Sequence, residues 1–203
     1  WPGWRSDRGL QKNFAQTLSA HLSHVPAGMP VEIWFQDEMR IGQKNPRTRI
    51  WAPKGSRPRL PADQRYKSAY LFGAVCPERD TGAALMLPWA DTAMMNLHLK
   101  EISRTVARGA HAAILMDRAP WHTSGDLKVP KNLTPIFLPA RAPELNSAEN
   151  IWQYLRQNWL SNRVFDDLDE IMEAGCDAWN RLLDEPTAVK NIATREWAIT
   201  GQS

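Results

Sequence analysis

The sequence has little cysteine and no long apolar run. Its two cysteines, Cys76 and Cys176, lie a hundred positions apart, and the chain contains no CxxC pair and no Cys/His cluster. This usage predicts two free thiols in a reducing cytoplasm rather than a disulfide framework. No stretch of about 18 apolar residues exists, so no transmembrane helix is expected.

Several sequence patterns with a known meaning are also missing. We find no signal peptide, no internal repeat, no glycine-rich nucleotide-binding loop, no zinc-protease motif and no nucleophile elbow. The chain begins Trp1-Pro2-Gly3-Trp4 without an initiator Met, so we expect a piece of a longer protein. Its 203 residues, 43% hydrophobic and 23% charged, suit one globular domain with its own core.

Charge is unevenly distributed, although the net charge is only +3. Residues 40–67 contain nine basic side chains against the single acid Asp63, whereas residues 163–186 contain eight acids against two arginines. A basic stretch of this kind is typical of proteins that bind a phosphate backbone, and a solvated charged face is the alternative. The basic residues are Arg40, Lys44, Arg47, Arg49, Lys54, Arg57, Arg59, Arg65 and Lys67.

Hydrophobic spacing predicts strands first and then strands alternating with helices. This order indicates an α/β domain with a mixed sheet and helices packed on it. The predicted strands are residues 31–37, 47–53, 68–75, 82–89, 112–117 and 133–138, and the predicted helices are residues 5–24, 92–107, 146–159 and 167–183.

Two of the predicted strands end in an acid. Asp37 is in phase with the apolar residues of its strand, so its neighbour Glu38 should point to the opposite face. Asp117 ends the apolar run Ile114–Met116. Two strands that pair side by side would place both carboxylates at one edge of the sheet. The alternative for a single aspartate at a strand end is a turn or cap residue.

A third acid, Glu149, lies in the first turn of a predicted helix. Asn146 stands three residues before it, which is the spacing of a capping box, so plain helix capping is the alternative interpretation. Three carboxylates brought together would repel one another unless a cation neutralised them. Oxygen ligands without a His/Cys set favour Mg²⁺ or Mn²⁺. Two such ions can activate a nucleophilic oxygen and stabilise the leaving oxygen of a phosphodiester.

Three segments in order resemble the catalytic blocks of DDE-type insertion-sequence transposases related to the mariner superfamily. They are Phe35-Gln36-Asp37-Glu38, Leu115-Met116-Asp117-Arg118-Ala119-Pro120-Trp121-His122 and Pro143-Glu144-Leu145-Asn146-Ser147-Ala148-Glu149-Asn150-Ile151-Trp152. The segment Arg49–Gly55 is similar to that family's second strand and turn. The likeness covers about residues 31–160, with 31 residues between Asp117 and Glu149.

The resemblance implies a ribonuclease-H-like fold with a mixed five-stranded sheet flanked by helices. It implies a metal-dependent transposase that cleaves DNA at transposon ends and transfers the strand, with two Mg²⁺ or Mn²⁺ ions as cofactors. Asp37, Asp117 and Glu149 match the catalytic, metal-binding triad, and His122 matches a supporting histidine. A structural, hydrogen-bonded histidine is the alternative role for His122.

The sequence departs from the family pattern at two positions. Arg118 stands where Asn is usual and Ser147 where Pro is usual. Arg118 would contact phosphate or weaken metal binding by its charge. For contact with DNA we select Arg47, Arg49, Lys54, Arg57, Arg59 and Trp121, the tryptophan through base stacking and otherwise as a core residue.

The family also implies DNA as partner, in transposon ends and target, and a homodimer in the active complex. We expect a linker helix in residues 1–30 that leads from an upstream DNA-binding region, the catalytic domain in residues 31–185 and a tail in residues 186–203. Two alternatives stay open: another nuclease of this fold, such as a ribonuclease H or junction resolvase, and a decayed transposase that binds DNA without cleaving it.

Overall fold

The protein is described by a computed structural model that covers residues 11–44, 54, 65–139 and 142–198. Its strands are β1 Val31–Gly42, β2 Ser68–Cys76, β3 Thr81–Leu87, β4 His111–Met116 and β5 Leu133–Phe137. Its helices are α1 Phe14–His21, α2 Thr92–Thr105, α3 Ala148–Leu155, α4 Leu168–Asp184 and α5 Ala188–Ala193. Short 3₁₀ turns cover Pro77–Arg79, Pro143–Leu145 and Glu196–Ala198, and a π-helical turn, Arg156–Leu160, follows α3.

The strands form one mixed sheet in the order β3-β2-β1-β4-β5. The first three strands are an antiparallel meander, in which Asp37 of β1 stands opposite Gly73 of β2. β1, β4 and β5 run parallel, and the pairing of β1 with β4 extends from Val31↔His111 to Phe35↔Leu115. The carboxyl ends of β4 and β5 therefore lie at one edge of the sheet, beside the middle of the longer β1.

Apolar side chains cover both faces of the sheet. On one face, α1, α3, α4 and α5 pack over Ile33 and Phe35 of β1. On the other face, α2 packs over Trp34 and over Ile114 of β4. Because successive strand residues point to opposite faces, β1 supplies both cores with alternating residues. Strand β4 is buried along its whole length, as its apolar run predicted.

The predicted elements agree with the described ones in order but differ at several ends. The strand predicted to end at Asp37 continues to Gly42, because residues 38–42 pair with β2. Of the helix predicted for residues 5–24, the structure describes α1, Phe14–His21. The strand predicted for residues 47–53 lies outside the described residues. Helix α5 was not predicted, and it packs into the core through Ala188, Val189 and Ala193. The three-part division of the chain stays a prediction.

No helix in the described part of the chain is both long enough and apolar enough to cross a membrane.

A glycine in β2 allows α3 and α4 to pack closely on the sheet. A Cβ atom at Gly73 would collide with the Trp152 ring of α3 and would lie 2.9 Å from Cζ3 of Trp179 in α4. The two indole rings lie 6.1 Å apart, between centroids. Both tryptophans therefore depend on residue 73 having no side chain.

We expect Gly73→Ala to lower the free energy of unfolding by about 1–3 kcal/mol, because the rigid rings can yield only by moving their helices. Denaturant unfolding with the far-ultraviolet circular dichroism signal measures this. Gly125→Ala is the control, since a Cβ there meets nothing within 4 Å. Equal stability of the two variants would contradict the packing argument.

Candidate active site

Asp37 is a partly buried carboxylate on the face of β1 that α3 covers. The indole Nε1 of Trp152 donates a hydrogen bond of 2.9 Å to its Oδ2. Burial raises the pKa of Asp37 most, the negative charges of Glu38 and Glu149 raise it further, and together they outweigh the indole hydrogen bond and bring the pKa to about 7. Glu38 and Glu149 thus repel the ionised Asp37 carboxylate. Within the described residues, no nearby cation offsets this repulsion.

Glu149 lies in the first turn of α3 with an exposed side chain. The start of this helix is attached to β1, because the Asn146 Nδ2 donates to the Gln36 carbonyl at 2.8 Å. The Asn146 Oδ1 accepts from the Ala148 amide at 3.2 Å. Among the described hydrogen bonds, none ends on the Glu149 carboxylate, so a closed capping box is not formed. Its charge acts on Asp37 instead.

Asp117 follows β4 and is bound by a buried histidine. The His122 Nδ1 lies 2.8 Å from the Asp117 Oδ1, and its Nε2 lies 2.8 Å from the Glu38 Oε1. The His122 side chain is fully buried and that of Glu38 is 7% exposed, whereas that of Asp117 is 60% exposed. The Ala119 amide also donates to the Asp117 Oδ1, at 2.9 Å. A single ring therefore connects the end of β4 to the middle of β1.

Protonation of His122 follows from these contacts. Burial alone would lower its pKa, but the hydrogen bonds to Asp117 and Glu38 and the charges of both acids outweigh burial and raise the pKa to about 9. The same bond to His122 lowers the pKa of Asp117. At neutral pH the ring is an imidazolium that donates to both carboxylates. His122 can thus be a hydrogen-bonded structural residue and a supporting residue of the candidate site at the same time.

The other predicted site residues are only partly described. Arg118 is exposed, with its guanidinium carbon 5.7 Å from the Phe137 ring centroid. Trp121 is half-buried against the core on the α2 side and lies 5.8 Å from the His122 ring, between centroids. Lys54 is exposed. The remaining predicted DNA-binding residues lie outside the described residues; they are Arg47, Arg49, Arg57 and Arg59.

The described residues contain no group of three or more His, Cys, Asp or Glu side chains arranged to hold a metal ion. Continuing the β1–β4 register by two residues would place Asp117 level with Asp37. However, the Asp117 carboxylate is directed to His122. The donors still fit a hard divalent cation, since all are carboxylate oxygens. Burial first, and then the charges of Glu38 and Glu149, disfavour the ionised form of Asp37, and a bound cation would favour it. The catalytic role of the triad stays a prediction.

Sequence reasoning missed two contributors to this site. Glu38 was predicted to point away from Asp37, and it does, but its bond to His122 was not foreseen. Trp152 belongs to the third motif block, and the motif gives no sign that its indole is a hydrogen-bond donor to Asp37. The available signal for Glu38 was its place in the strand. It lies on the face opposite Asp37, and a buried carboxylate needs a partner.

Comparison with known proteins points to one family. A sequence model described as DDE superfamily endonuclease matches residues 32–172. A protein of Sinorhizobium fredii, described as uncharacterized protein y4pE/y4sA, is 55% identical over 130 residues, which are 64% of this chain and 96% of that protein.

Solved structures of the Mos1 mariner transposase have a similar fold. The paired-end complex with the left transposon end has a TM-score of 0.54 at 16% identity and covers 95% of this chain. The paired-end complex with Mn has a TM-score of 0.54 at 17% identity and covers 97%. The catalytic domain alone has a TM-score of 0.50 at 17% identity and is covered completely. This chain spans 65% of the length of Mos1 in the first complex. The predicted ribonuclease-H-like fold is confirmed.

Asp37→Asn is expected to stabilise the protein at pH 8 in the presence of a chelator. The folded protein holds the Asp37 proton more tightly than the ordinary pKa of 3.8, so wild-type stability falls as the pH rises from 3.8 through about 7. The gain is on the order of 2 kcal/mol at pH 8 and shrinks at pH 5. Denaturant unfolding at both pH values measures it, with the exposed Asp177→Asn as control. A gain independent of pH would contradict the conclusion that burial and the neighbouring acids raise the pKa of Asp37.

Glu38→Gln should lower the pKa of His122, because it removes one of the two carboxylates that favour the imidazolium. Titration of the His122 ring protons by NMR measures the shift, and His21 gives an internal reference on α1. An unchanged His122 pKa near 9 would show that Asp117 alone holds the proton.

Proposed function

The chain belongs to the DDE superfamily endonucleases, and on that premise we propose that it is the catalytic core of a DNA transposase. It cleaves a strand at a transposon end and joins the freed 3′ end to target DNA. The observation that supports this best is the attachment of α3, which carries Glu149, to β1 beside Asp37. The Trp152 indole donates to the Asp37 carboxylate, and the Asn146 amide donates to the Gln36 carbonyl. Two acids that are distant in sequence gain no stability from this proximity, so we attribute it to function.

The proposed site takes two divalent ions, Mg²⁺ or Mn²⁺, on Asp37, Asp117 and Glu149. The solved Mos1 complex with Mn supports this choice of metal, as does the all-oxygen donor set. When bound, such ions activate a nucleophilic oxygen and stabilise the leaving oxygen of a phosphodiester.

The residues of the chain prepare the site in distinct ways. Trp152 orients the carboxylate of Asp37 through its indole N–H. His122 is a positioning residue that holds the Asp117 carboxylate and keeps its own proton. Arg118, exposed beside Asp117, contacts a DNA phosphate, for which its guanidinium is well suited. Trp121, half-buried, contributes at most one edge of its ring to DNA.

Further parts of this proposal rest on the family and on the Mos1 complexes. We propose that transposon ends and target DNA are the partners, since the similar structures include a paired-end complex. Two copies of this chain act on the paired ends, and the protein works in a reducing cytoplasm with both thiols free. Residues 1–30 lead from an upstream DNA-binding region, and residues 31–185 form the catalytic domain.

Removing any one carboxylate of the triad should reduce metal-dependent DNA cleavage by about 100-fold or more, because each supplies a negative oxygen to the divalent ions. The variants are Asp37→Asn, Asp117→Asn and Glu149→Gln, tested on duplex DNA with Mn²⁺. Glu173→Gln, exposed on α4, is the matched control and should cleave like wild type.

The same assay separates the alternatives. Equal cleavage by the triad variants and the control would overturn the site assignment. A preference for RNA–DNA hybrids or four-way junctions over duplex DNA would favour another nuclease of this fold. Salt-dependent DNA binding by wild type without cleavage in Mn²⁺ would favour a decayed transposase.

A further inference from the structure

A cleft of about 650 Å³ lies at the edge of the sheet opposite the acids. It is built where the parallel strands begin: His111 is the first residue of β4, and Asn132 directly precedes β5. The loop after α1 and the end of α2 close its sides. His111 and Asp117 are six residues apart, so the cleft lies about 20 Å along β4 from the candidate active site.

The lining of this cleft carries positive charge. Arg104, Arg108 and Lys131 line it, and the described lining includes no acid. Arg104 forms an exposed ion pair of 3.3 Å with Glu101. For Arg108 and Lys131, the described residues include no ion-pair or hydrogen-bond partner of the side chain. Two cations facing one concave surface repel each other, and an anionic ligand would relieve this repulsion.

Two histidines, His24 and His111, line the cleft together with these cations, and a threonine outside the lining fixes their rings. The Nε2 atoms of His24 and His111 both approach the Thr134 hydroxyl, at 3.2 Å and 2.8 Å. The two rings meet edge to face, 5.5 Å apart between centroids. Long basic side chains at a concave surface suit a phosphate group, and Arg108 and Lys131 are the residues that would contact it.

We propose that this cleft binds the phosphodiester backbone of DNA at a point separate from the candidate active site. The proposal rests on the proposed action on DNA. A separation of about 20 Å corresponds to about six nucleotides along one strand at 3.4 Å each. The cleft can therefore hold a duplex at a second point while its scissile phosphate lies at the acids. A free inorganic phosphate would use the same groups, so the test must distinguish the two sources.

The experiment measures binding of a 30-base-pair duplex to wild type and to the double variant Arg108→Ala/Lys131→Ala, in a chelator, over a range of salt concentrations. We expect about tenfold weaker binding and a salt slope smaller by about 2, one for each lost phosphate contact. The double variant Arg181→Ala/Lys190→Ala removes the same charge from exposed positions outside the cleft and should bind like wild type.

Ring NMR signals of His24 and His111 give the second measurement. Signals that shift at micromolar duplex support DNA as the ligand, whereas signals that move only with millimolar inorganic phosphate overturn it. Equal affinity and salt slope of the two double variants would overturn the cleft proposal alone, provided that wild type binds and cleaves duplex. Wild type that fails to bind duplex would overturn the proposed function as well.

Discussion

The parallel pairing of β1 with β4 is the constraint on which the rest of this structure depends. It brings two chain segments eighty residues apart into register, so that the end of β4 arrives beside Asp37. Antiparallel pairing would have placed Asp117 at the far edge, near the start of β1. Because parallel strands need a crossover, α2 must cover the face between them. The helix, its apolar core and the position of Asp117 thus follow from one pairing.

The two faces of β1 handle negative charge in opposite ways. On the α2 side, Glu38 meets a buried imidazolium that also holds Asp117, so one positive charge within the protein offsets part of the charge of the two acids. On the α3 side, Asp37 meets an indole N–H and, within the described residues, no cation, and burial together with the neighbouring acids raises its pKa. The first arrangement gives a fixed geometry. The second arrangement leaves negative charge without a compensating cation at the place where metal ions are proposed to bind.

The sequence predicted the fold through two kinds of signal. The apolar run of β4 and the alternation in β1 identified central strands, and the three motif blocks indicated their arrangement. It could not predict that β1 would continue through Asp37 and Glu38, because a pair of acids normally ends a strand, and here Trp152 and His122 satisfy them. These partners are 115 and 84 residues away. Side-chain contacts of that range depend on packing, which local patterns do not encode.

Within the candidate site, the orientation of the side chains could not be predicted from the sequence. The motif spacing indicated Asp37, Asp117 and Glu149, and two of them are electrostatically coupled in the structure. The direction of the Asp117 side chain depends on His122, whose own location depends on a turn after β4. Helix α5 was missed because its six residues are too few for a clear helical period.

Gly73 gives the site an unusual evolutionary constraint. It stands opposite Asp37 in the sheet, and the space above it is filled by the ring that also donates to Asp37. A larger residue at position 73 would require a smaller one at position 152, and that exchange would remove the donor to Asp37. A substitution at position 73 is therefore linked, through Trp152, to the hydrogen bond that Asp37 accepts. A single substitution at position 73 would thus alter both the packing of the sheet and the hydrogen bonding of Asp37.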